Sequence, residues 1–226
     1  MAAALAASKK ENALLRQKNR ECRIVHRTVL KHAAMLEDEL KKRIDEITVL
    51  SITDALTGTL NWKKTMDSLV LEVEKAKRHP LPLSLIMFDI DGFKAINDKY
   101  GHEFGDAVLV KLTAVVQQAI RKIDYFGRLG GDEFLIITPN TMLKTAAQLA
   151  ARLARDIKSN FYRRGQVVTC SFGVTQYLPG ENTKKLLARA DAAMYRTKKH
   201  GKDGVTADGA GQPGGGRMGG RSGGAA

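Results

Sequence analysis

The chain has 226 residues, which is enough for one domain with a buried core plus additional segments. No apolar run is long enough to cross a bilayer, so we expect no membrane-spanning helix. The formal net charge of +13 favours acidic partners such as nucleic acid, a membrane surface or a polyphosphate substrate. Cys22 and Cys170 lie far apart and the N-terminal residues lack the order of a signal peptide, so we expect reduced thiols and a cytoplasmic protein.

The first segment, residues 11–51, contains neither Pro nor Gly and carries a heptad pattern typical of a long helix. Its apolar seam runs from Val29 to Leu50 with one interruption at Arg43, which favours a coiled coil over a helix packed on its own domain. We therefore predict a helical dimerisation and signalling segment over residues 1–52. The a positions are Asn19, His26, Ala33, Leu40 and Ile47, and the d positions are Leu15, Cys22, Val29, Leu36, Arg43 and Leu50.

The same segment is strongly basic at its start. Residues 9–31 hold eight Lys or Arg against two Glu, which leaves nucleic-acid binding open as an alternative function. A solvated helix face explains such a run equally well.

The second segment, residues 53–206, alternates strand and helix patterns. The run "LSLIMFDI" (83–90) is apolar, too short for a helix, and preceded by a Pro-flanked break, which predicts a buried strand. Further strands are predicted over 125–129, 134–138 and 166–174, and helices over 91–99, 104–122, 141–160 and 183–200. Gly130-Gly131 supplies the backbone freedom of a tight hairpin between two of these strands. The alternation predicts an α/β fold with helices packed on one sheet.

Three carboxylates occupy positions where strands end. Asp89 closes the first buried strand, and Asp132 with Glu133 forms the hairpin tip. If the hairpin lies beside that strand, the three converge at one sheet edge, where their repulsion favours a divalent cation. Oxygen ligands select Mg²⁺, which usually serves a phosphate substrate. The alternative is a hairpin turn with a solvated acidic end. We interpret Asp91 as a helix N-cap rather than a ligand.

The residues after this strand suggest nucleotide binding. Gly92 at a helix start lets backbone N–H groups face an anion, and Lys94 adds a positive charge. Asn97 and Asp106 could hydrogen-bond a purine edge, with Asp106 suited to the N–H donors of guanine. Taken singly, each of these residues is more often a helix-surface or cap residue.

Four motifs in register resemble the GGDEF-domain diguanylate cyclases over residues 53–206: "DALTGTLN", "FDIDGFKAINDKYGHEFGD", "RLGGDEF" and "ADAAMYRTKKHGKDGV". The resemblance implies a nucleotide-cyclase-like (ferredoxin-like) mixed sheet flanked by helices. It also implies a homodimeric enzyme in signalling, in which two facing domains each hold one GTP and condense them to cyclic di-GMP and two pyrophosphates.

The resemblance also assigns roles to individual residues. It implies Mg²⁺, with Mn²⁺ as a substitute, held by Asp89, the carbonyl of Ile90, Asp132 and Glu133, and it gives Asp132 and Glu133 the catalytic roles. The implied substrate-binding residues are Lys94, Asn97, His102, Asp106, Gly130, Gly131, Lys198 and Lys202. It further implies a product-inhibition site at "RKID" (121–124), with Arg121 and Asp124, joined by Arg152 on the following helix.

The chain departs from the family pattern at four positions. Thr59 stands where Leu is usual and Trp62 where Arg is usual, which bears on helix packing. Lys202 and Asp203 replace the commoner Arg and Asn, and Lys202 loses the bidentate fork of Arg.

The last segment, residues 207–226, is Gly-rich and is predicted to be disordered. Three functions remain in view: an active cyclase, a catalytically weak domain that only binds GTP or cyclic di-GMP, and a nucleic-acid-binding protein. The cyclase accounts for most of the sequence.

Overall fold

The computed structural model describes residues 15–43 (apart from 17, 21, 22, 24, 25, 28 and 34), 51–161 and 168–208. The chain divides into two compact units, Met1–Ser51 and Ile52–Ala226. No helix among the residues described is both long and apolar enough to span a membrane.

The first unit contains a helix, α1, which includes every described residue between 15 and 43. All of these residues are exposed, including the apolar side chains at four predicted seam positions, Leu15, Val29, Leu36 and Leu40. An exposed ion pair between Lys42 and Asp38, one helical turn apart, has an N–O distance of 2.8 Å. The predicted seam residues Cys22, Ile47 and Leu50 lie outside the described residues.

The second unit is built on a five-stranded mixed sheet with the order β2-β3-β1-β4-β5. The strands are β1 (Leu83–Ile90), β2 (Tyr125–Gly130), β3 (Glu133–Pro139), β4 (Cys170–Gln176) and β5 (Gly204–Asp208). The central strand β1 is antiparallel to both neighbours, β3 and β4, whereas β5 is parallel to β4. Every residue of β1 is buried, as its uninterrupted apolar sequence predicts for a strand covered on both faces.

Five helices follow the sequence order α2 (Trp62–Arg78), α3 (Phe93–Tyr100), α4 (His102–Ala119), α5 (Leu143–Phe161) and α6 (Thr183–Lys199). Alternate residues of β1 point to opposite faces, so Phe88 packs with the core of α4 and α5, whereas Met87 packs with α2 and α6. On the second face α6 lies directly on β4, because a Cβ at Gly173 would be 2.2 Å from the Ala190 carbonyl oxygen.

The mixed sheet flanked by helices confirms the predicted fold class. Two elements, α2 and β5, were not assigned from the sequence pattern. The strand predicted over 166–174 begins later, at Cys170, and its first two residues lie outside the described part of the chain. The strand β5 runs to Asp208, two residues into the predicted Gly-rich tail, and that tail is undescribed from residue 209 onward.

Candidate active site

The ends of β1 and β3 bring acidic residues to one sheet edge. In the antiparallel register Asp89 lies opposite Glu133 on β3 and opposite Ser171 on β4. Asp132 occupies the hairpin turn that precedes β3, where Gly131 adopts a left-handed φ of 52°. Such an angle favours glycine, so the Gly-Gly dipeptide serves the turn as its sequence predicts.

Asp89 is the buried member of this acidic group. Asp89 is only 8% exposed, and one of its carboxylate oxygens lies 2.9 Å from the Lys198 ammonium on α6. Burial raises the pKa of Asp89 to about 6; the Lys198 hydrogen bond opposes this rise, and the nearby charges of Asp132 and Glu133 add to it. The three carboxylates therefore repel one another electrostatically, and the Lys198 ammonium compensates part of their negative charge.

The acidic residues do not form a complete cage of side chains. Within the described ranges, no three His, Cys, Asp or Glu side chains are grouped closely enough to hold an ion by themselves. Glu133 is exposed. The expected convergence of three carboxylates is therefore a shared edge and not a preformed three-carboxylate centre.

Arg128 fixes the hairpin tip, a role that the sequence analysis did not assign. Its guanidinium donates two hydrogen bonds to the Gly131 carbonyl oxygen, at 2.8 and 2.7 Å. The same group pairs with Asp54 at 3.1 Å. Asp54 in turn accepts hydrogen bonds from the backbone and hydroxyl of Thr57, and the Thr57 hydroxyl lies 2.9 Å from that of buried Thr59. The unusual Thr59 thus joins this network, whereas the unusual Trp62 is 58% exposed at the start of α2.

The interpretation of Asp91 as a helix N-cap is wrong. The N-cap of α3 is Gly92, which has a φ of 72° and offers no side-chain cap. The Asp91 carboxylate instead accepts hydrogen bonds from the Thr169 and Ser171 hydroxyls, both at 2.7 Å, and from the Asp203 backbone N–H at 3.0 Å. Asp91 therefore ties the end of β1 to the turn that follows α6.

The end of α6 and the turn after it carry two of the predicted phosphate contacts. Lys198 lies in the last turn of α6, and Lys202 follows with a left-handed φ of 64°. Asp203 also has a positive φ, 47°, and its carboxylate pairs with Lys158 on α5 at 2.6 Å. Hydrogen bonding to Asp91 and Lys158 holds this turn in a backbone conformation that non-glycine residues rarely adopt.

The helix pair α3–α4 carries the predicted base-reading residues. Asn97 lies on α3, and Asp106 is an exposed residue in the second turn of α4. Lys94 is exposed in the first turn of α3, and His102 is exposed at the start of α4. The uncapped start of α3 leaves backbone N–H groups available to an anion, as its glycine predicts.

The three residues predicted for product inhibition line a single cavity of about 530 Å³. Arg121 donates its backbone N–H to one oxygen of Asp124 at 2.9 Å, whereas the other Asp124 oxygen is buried and has no partner in the described part of the chain. Burial raises the pKa of Asp124, against the effect of the Arg121 backbone hydrogen bond. Arg152 reaches the same cavity and donates to the Ala119 carbonyl oxygen at 2.8 Å. Arg155, one turn further along α5, also lines it and was missed because no motif marks it.

Comparison with known families identifies this arrangement. Residues 51–204 match the family model described as "Diguanylate cyclase, GGDEF domain". The chain belongs to the GGDEF-domain family of diguanylate cyclases.

Among curated members of this family, the chain is 36% identical to the diguanylate cyclase DgcP of Pseudomonas aeruginosa, over 74% of its own length and 24% of that protein. It is 35% identical to the diguanylate cyclase VdcA of Vibrio cholerae, over 77% of its own length and 52% of that protein. The chain thus spans between about a quarter and a half of these two relatives.

A solved structure gives the same fold. The coiled coil and GGDEF domain of DgcB from Caulobacter crescentus, in complex with c-di-GMP, matches with a TM-score of 0.74 and 28% identity. The match covers 79% of this chain and 97% of that one.

The donor set of this GGDEF domain fits a hard divalent cation. Three carboxylates, those of Asp89, Asp132 and Glu133, share one edge, and burial and the two acidic neighbours raise the pKa of Asp89. The Lys198 ammonium offsets part of their charge. Mg²⁺ needs only one or two carboxylates when substrate phosphates supply further oxygens, so the absence of a three-carboxylate cage is compatible with it.

The shifted pKa of Asp89 predicts a pH-dependent stability in metal-free solution. Its folded value, about 6, lies above the ordinary 3.8, so proton binding favours the folded state below pH 3.8, and this contribution is lost as the pH rises through 6. In the presence of a chelator, the wild type should lose about 3 kcal/mol of unfolding free energy relative to Asp89→Asn across that window. Denaturant unfolding of both proteins at several pH values measures the difference, and a constant difference would contradict the prediction.

Proposed function

We propose that this chain is a Mg²⁺-dependent diguanylate cyclase that condenses two GTP molecules to cyclic di-GMP and two pyrophosphates. The observation that carries the proposal is the shared sheet edge of Asp89 and the GGDEF hairpin, within a family match over residues 51–204. The relatives named diguanylate cyclases and the DgcB complex with c-di-GMP support the same reaction.

In this proposal GTP lies between the α3–α4 pair and the acidic edge. Asp106 accepts from the guanine N1–H and N2–H groups, and Asn97 completes the readout of the base. The uncapped start of α3 and Lys94 bind phosphate oxygens, and Lys202 contributes from the turn after α6. Lys198 pairs with Asp89 in the free chain, so its ammonium already lies at the edge where the phosphates would sit. His102 contacts the substrate from the start of α4.

Asp89, the Ile90 carbonyl and Asp132 would hold the metal, with Glu133 beside them. Mg²⁺ would neutralise phosphate charge and polarise the attacked phosphorus. Asp132 accepts the proton of the attacking 3′-hydroxyl, and Arg128 keeps that carboxylate in place through the neighbouring Gly131 carbonyl. Gly130 and Gly131 present bare backbone, which allows the nucleotide to approach the hairpin closely. Positioning and charge compensation supply most of the catalysis in phosphoryl-type transfer.

Each domain holds one GTP, so the reaction needs two chains. The exposed apolar side chains of α1 at Val29, Leu36 and Leu40 support a parallel coiled coil as the dimerising element. Tethering two domains in this way raises their effective concentration towards roughly millimolar.

The basic cavity is proposed as the product-inhibition site. Arg121, Arg152 and Arg155 provide guanidinium groups suited to phosphate and guanine, and Asp124 has a buried oxygen without a partner in the described structure. Cyclic di-GMP bound here would hold two catalytic domains apart without blocking either GTP site.

Incubation of the purified chain with GTP and Mg²⁺ tests the reaction directly. Formation of one cyclic di-GMP for every two pyrophosphates would support the proposed reaction. An Asp89→Ala variant is the matched control. Nucleotide binding without turnover would instead identify a catalytically weak GTP- or cyclic di-GMP-binding domain. Salt-sensitive binding of nucleic acid, without binding of GTP or cyclic di-GMP, would favour a nucleic-acid-binding function for the basic run at residues 9–31.

Replacing the base-reading carboxylate should relax substrate choice. In an assay with equimolar GTP and ATP, we expect the wild type to form cyclic di-GMP, and Asp106→Ser to form mixed products with at least a tenfold lower preference for GTP. A site that hydrogen-bonds a group of its ligand rejects an analogue that lacks the group, because an acceptor that the bound base shields from water is left unpaired. Asp67→Ser, which changes an exposed Asp on α2, should behave as wild type. Abundant mixed product from the wild type would contradict the assignment of Asp106.

Charge in the α1 seam should separate the dimer. Leu36→Asp combined with Leu40→Asp places four carboxylates in the proposed interface of two chains, so the protein should become monomeric. Specific activity, measured from initial rates, should then depend steeply on protein concentration. Light scattering measures the oligomeric state. Leu30→Asp with Met35→Asp makes the same chemical change at exposed positions outside the seam and should leave the dimer intact. Full activity of the seam variant at high dilution would show that another surface dimerises the protein.

Loss of Arg121 should remove feedback. Wild-type progress curves should slow as cyclic di-GMP accumulates, and Arg121→Ala should raise the inhibitory concentration by a factor of ten or more, because a charge-assisted contact is lost. Each variant is compared with its own initial rate before product accumulates. Lys122→Ala removes a neighbouring positive charge that does not line this cavity and should retain inhibition. Equal inhibition of both variants would mean that "RKID" is only a charged loop here.

A further inference from the structure

Gly105 lies on α4 immediately before Asp106 and faces Asn97 on α3. It is buried, although both flanking residues are exposed. A Cβ at this position would lie 1.9 Å from the Asn97 side-chain oxygen, 3.0 Å from its Cγ and 3.3 Å from the Phe93 ring. The Asn97 amide therefore occupies the space that any side chain at residue 105 would need.

Packing, and not hydrogen bonding, holds the Asn97 oxygen. This oxygen is shielded from solvent and has no hydrogen-bond partner among the described residues. The Asn97 backbone carbonyl accepts from the Gly101 N–H at 2.8 Å, which fixes the end of α3 and leaves the side chain free of that bond. Since no donor anchors the oxygen, its location depends on the gap above the Gly105 backbone.

We propose that Gly105 is a positioning residue for nucleotide selection. By lacking a side chain, it allows the Asn97 amide to lie against α4 next to Asp106, so that the two groups address a single purine edge. This inference rests on the proposed binding of guanine by Asn97 and Asp106, and adds the residue that sets their spacing. Gly105 itself makes no contact with the base.

The substitution Gly105→Ala isolates this effect well. Alanine is a better helix former than glycine, so the change should not weaken α4 by itself. The clash falls on the far end of a flexible side chain, which can rotate away. The expected result is a folded protein whose Asn97 amide is displaced from the base-reading position.

The experiment compares the affinities of non-hydrolysable GTP and ATP analogues, with Mg²⁺ present, for the wild type, Gly105→Ala, Asn97→Ala and the double variant. No turnover is needed. We expect each single variant to bind the GTP analogue roughly tenfold more weakly, the loss typical of one hydrogen bond, with little change for the ATP analogue. The double variant should be no weaker than Asn97→Ala alone, because both changes remove the same interaction. Gln117→Ala, at an exposed position near the end of α4, should bind as wild type.

Thermal unfolding of the same four proteins covers the case in which Gly105→Ala is poorly folded. If the clash with Asn97 is the cause, Asn97→Ala should restore the melting temperature. Instability that persists in the double variant would overturn the inference, as would wild-type affinity in Gly105→Ala or additive losses in the double variant. A wild type that binds both analogues equally would contradict the proposed function itself, and this inference with it.

Discussion

Burial of β1 on both faces is the constraint on which the active site depends. The strand lies at the centre of the sheet, with α4 and α5 covering one face and α2 and α6 the other. A one-residue shift of register would exchange the side chains of β1 between two differently packed faces and would move the Phe88 ring away from its stacking partners Phe134 and Phe172. Asp89, one residue from its end, is consequently held opposite Glu133 of the GGDEF hairpin.

Carboxylates placed close together at this edge repel one another, and positively charged side chains from several elements lie near the acidic residues of this region. Lys198 from α6 pairs with Asp89, Arg128 from β2 pairs with Asp54, and Lys158 from α5 pairs with Asp203. These contacts also connect elements that are distant in sequence, so they position the hairpin and the turn after α6 relative to β1. The Lys198–Asp89 and Arg128–Asp54 pairs are partly buried, which makes them more effective than an exposed pair such as Lys158–Asp203.

The two proposed ligand sites lie at opposite ends of β2. Asp124 precedes the first residue of the strand, and Gly130 ends it. Six residues of extended chain separate the basic cavity from the hairpin by roughly 17 Å. A ligand in the cavity therefore leaves the carboxylates of the same domain uncovered, which fits inhibition through the relative placement of two domains better than competition for GTP.

The sequence by itself determined the fold class, the buried strand and the hairpin, because an uninterrupted apolar run, helical periodicity and a Gly-Gly turn are local signals. The family motifs likewise pointed to Asp89, Asn97, Asp106 and Asp132. Only the tertiary structure decided the role of Asp91, whose hydrogen-bond partners are about 80 and 112 residues away along the chain. It also decided the contacts of Arg128 with the hairpin and Asp54, the presence of Arg155 in the cavity and the packing of Gly105 against Asn97. Each of these contacts depends on which surfaces meet when helices and strands pack, and no local pattern along the chain encodes that packing.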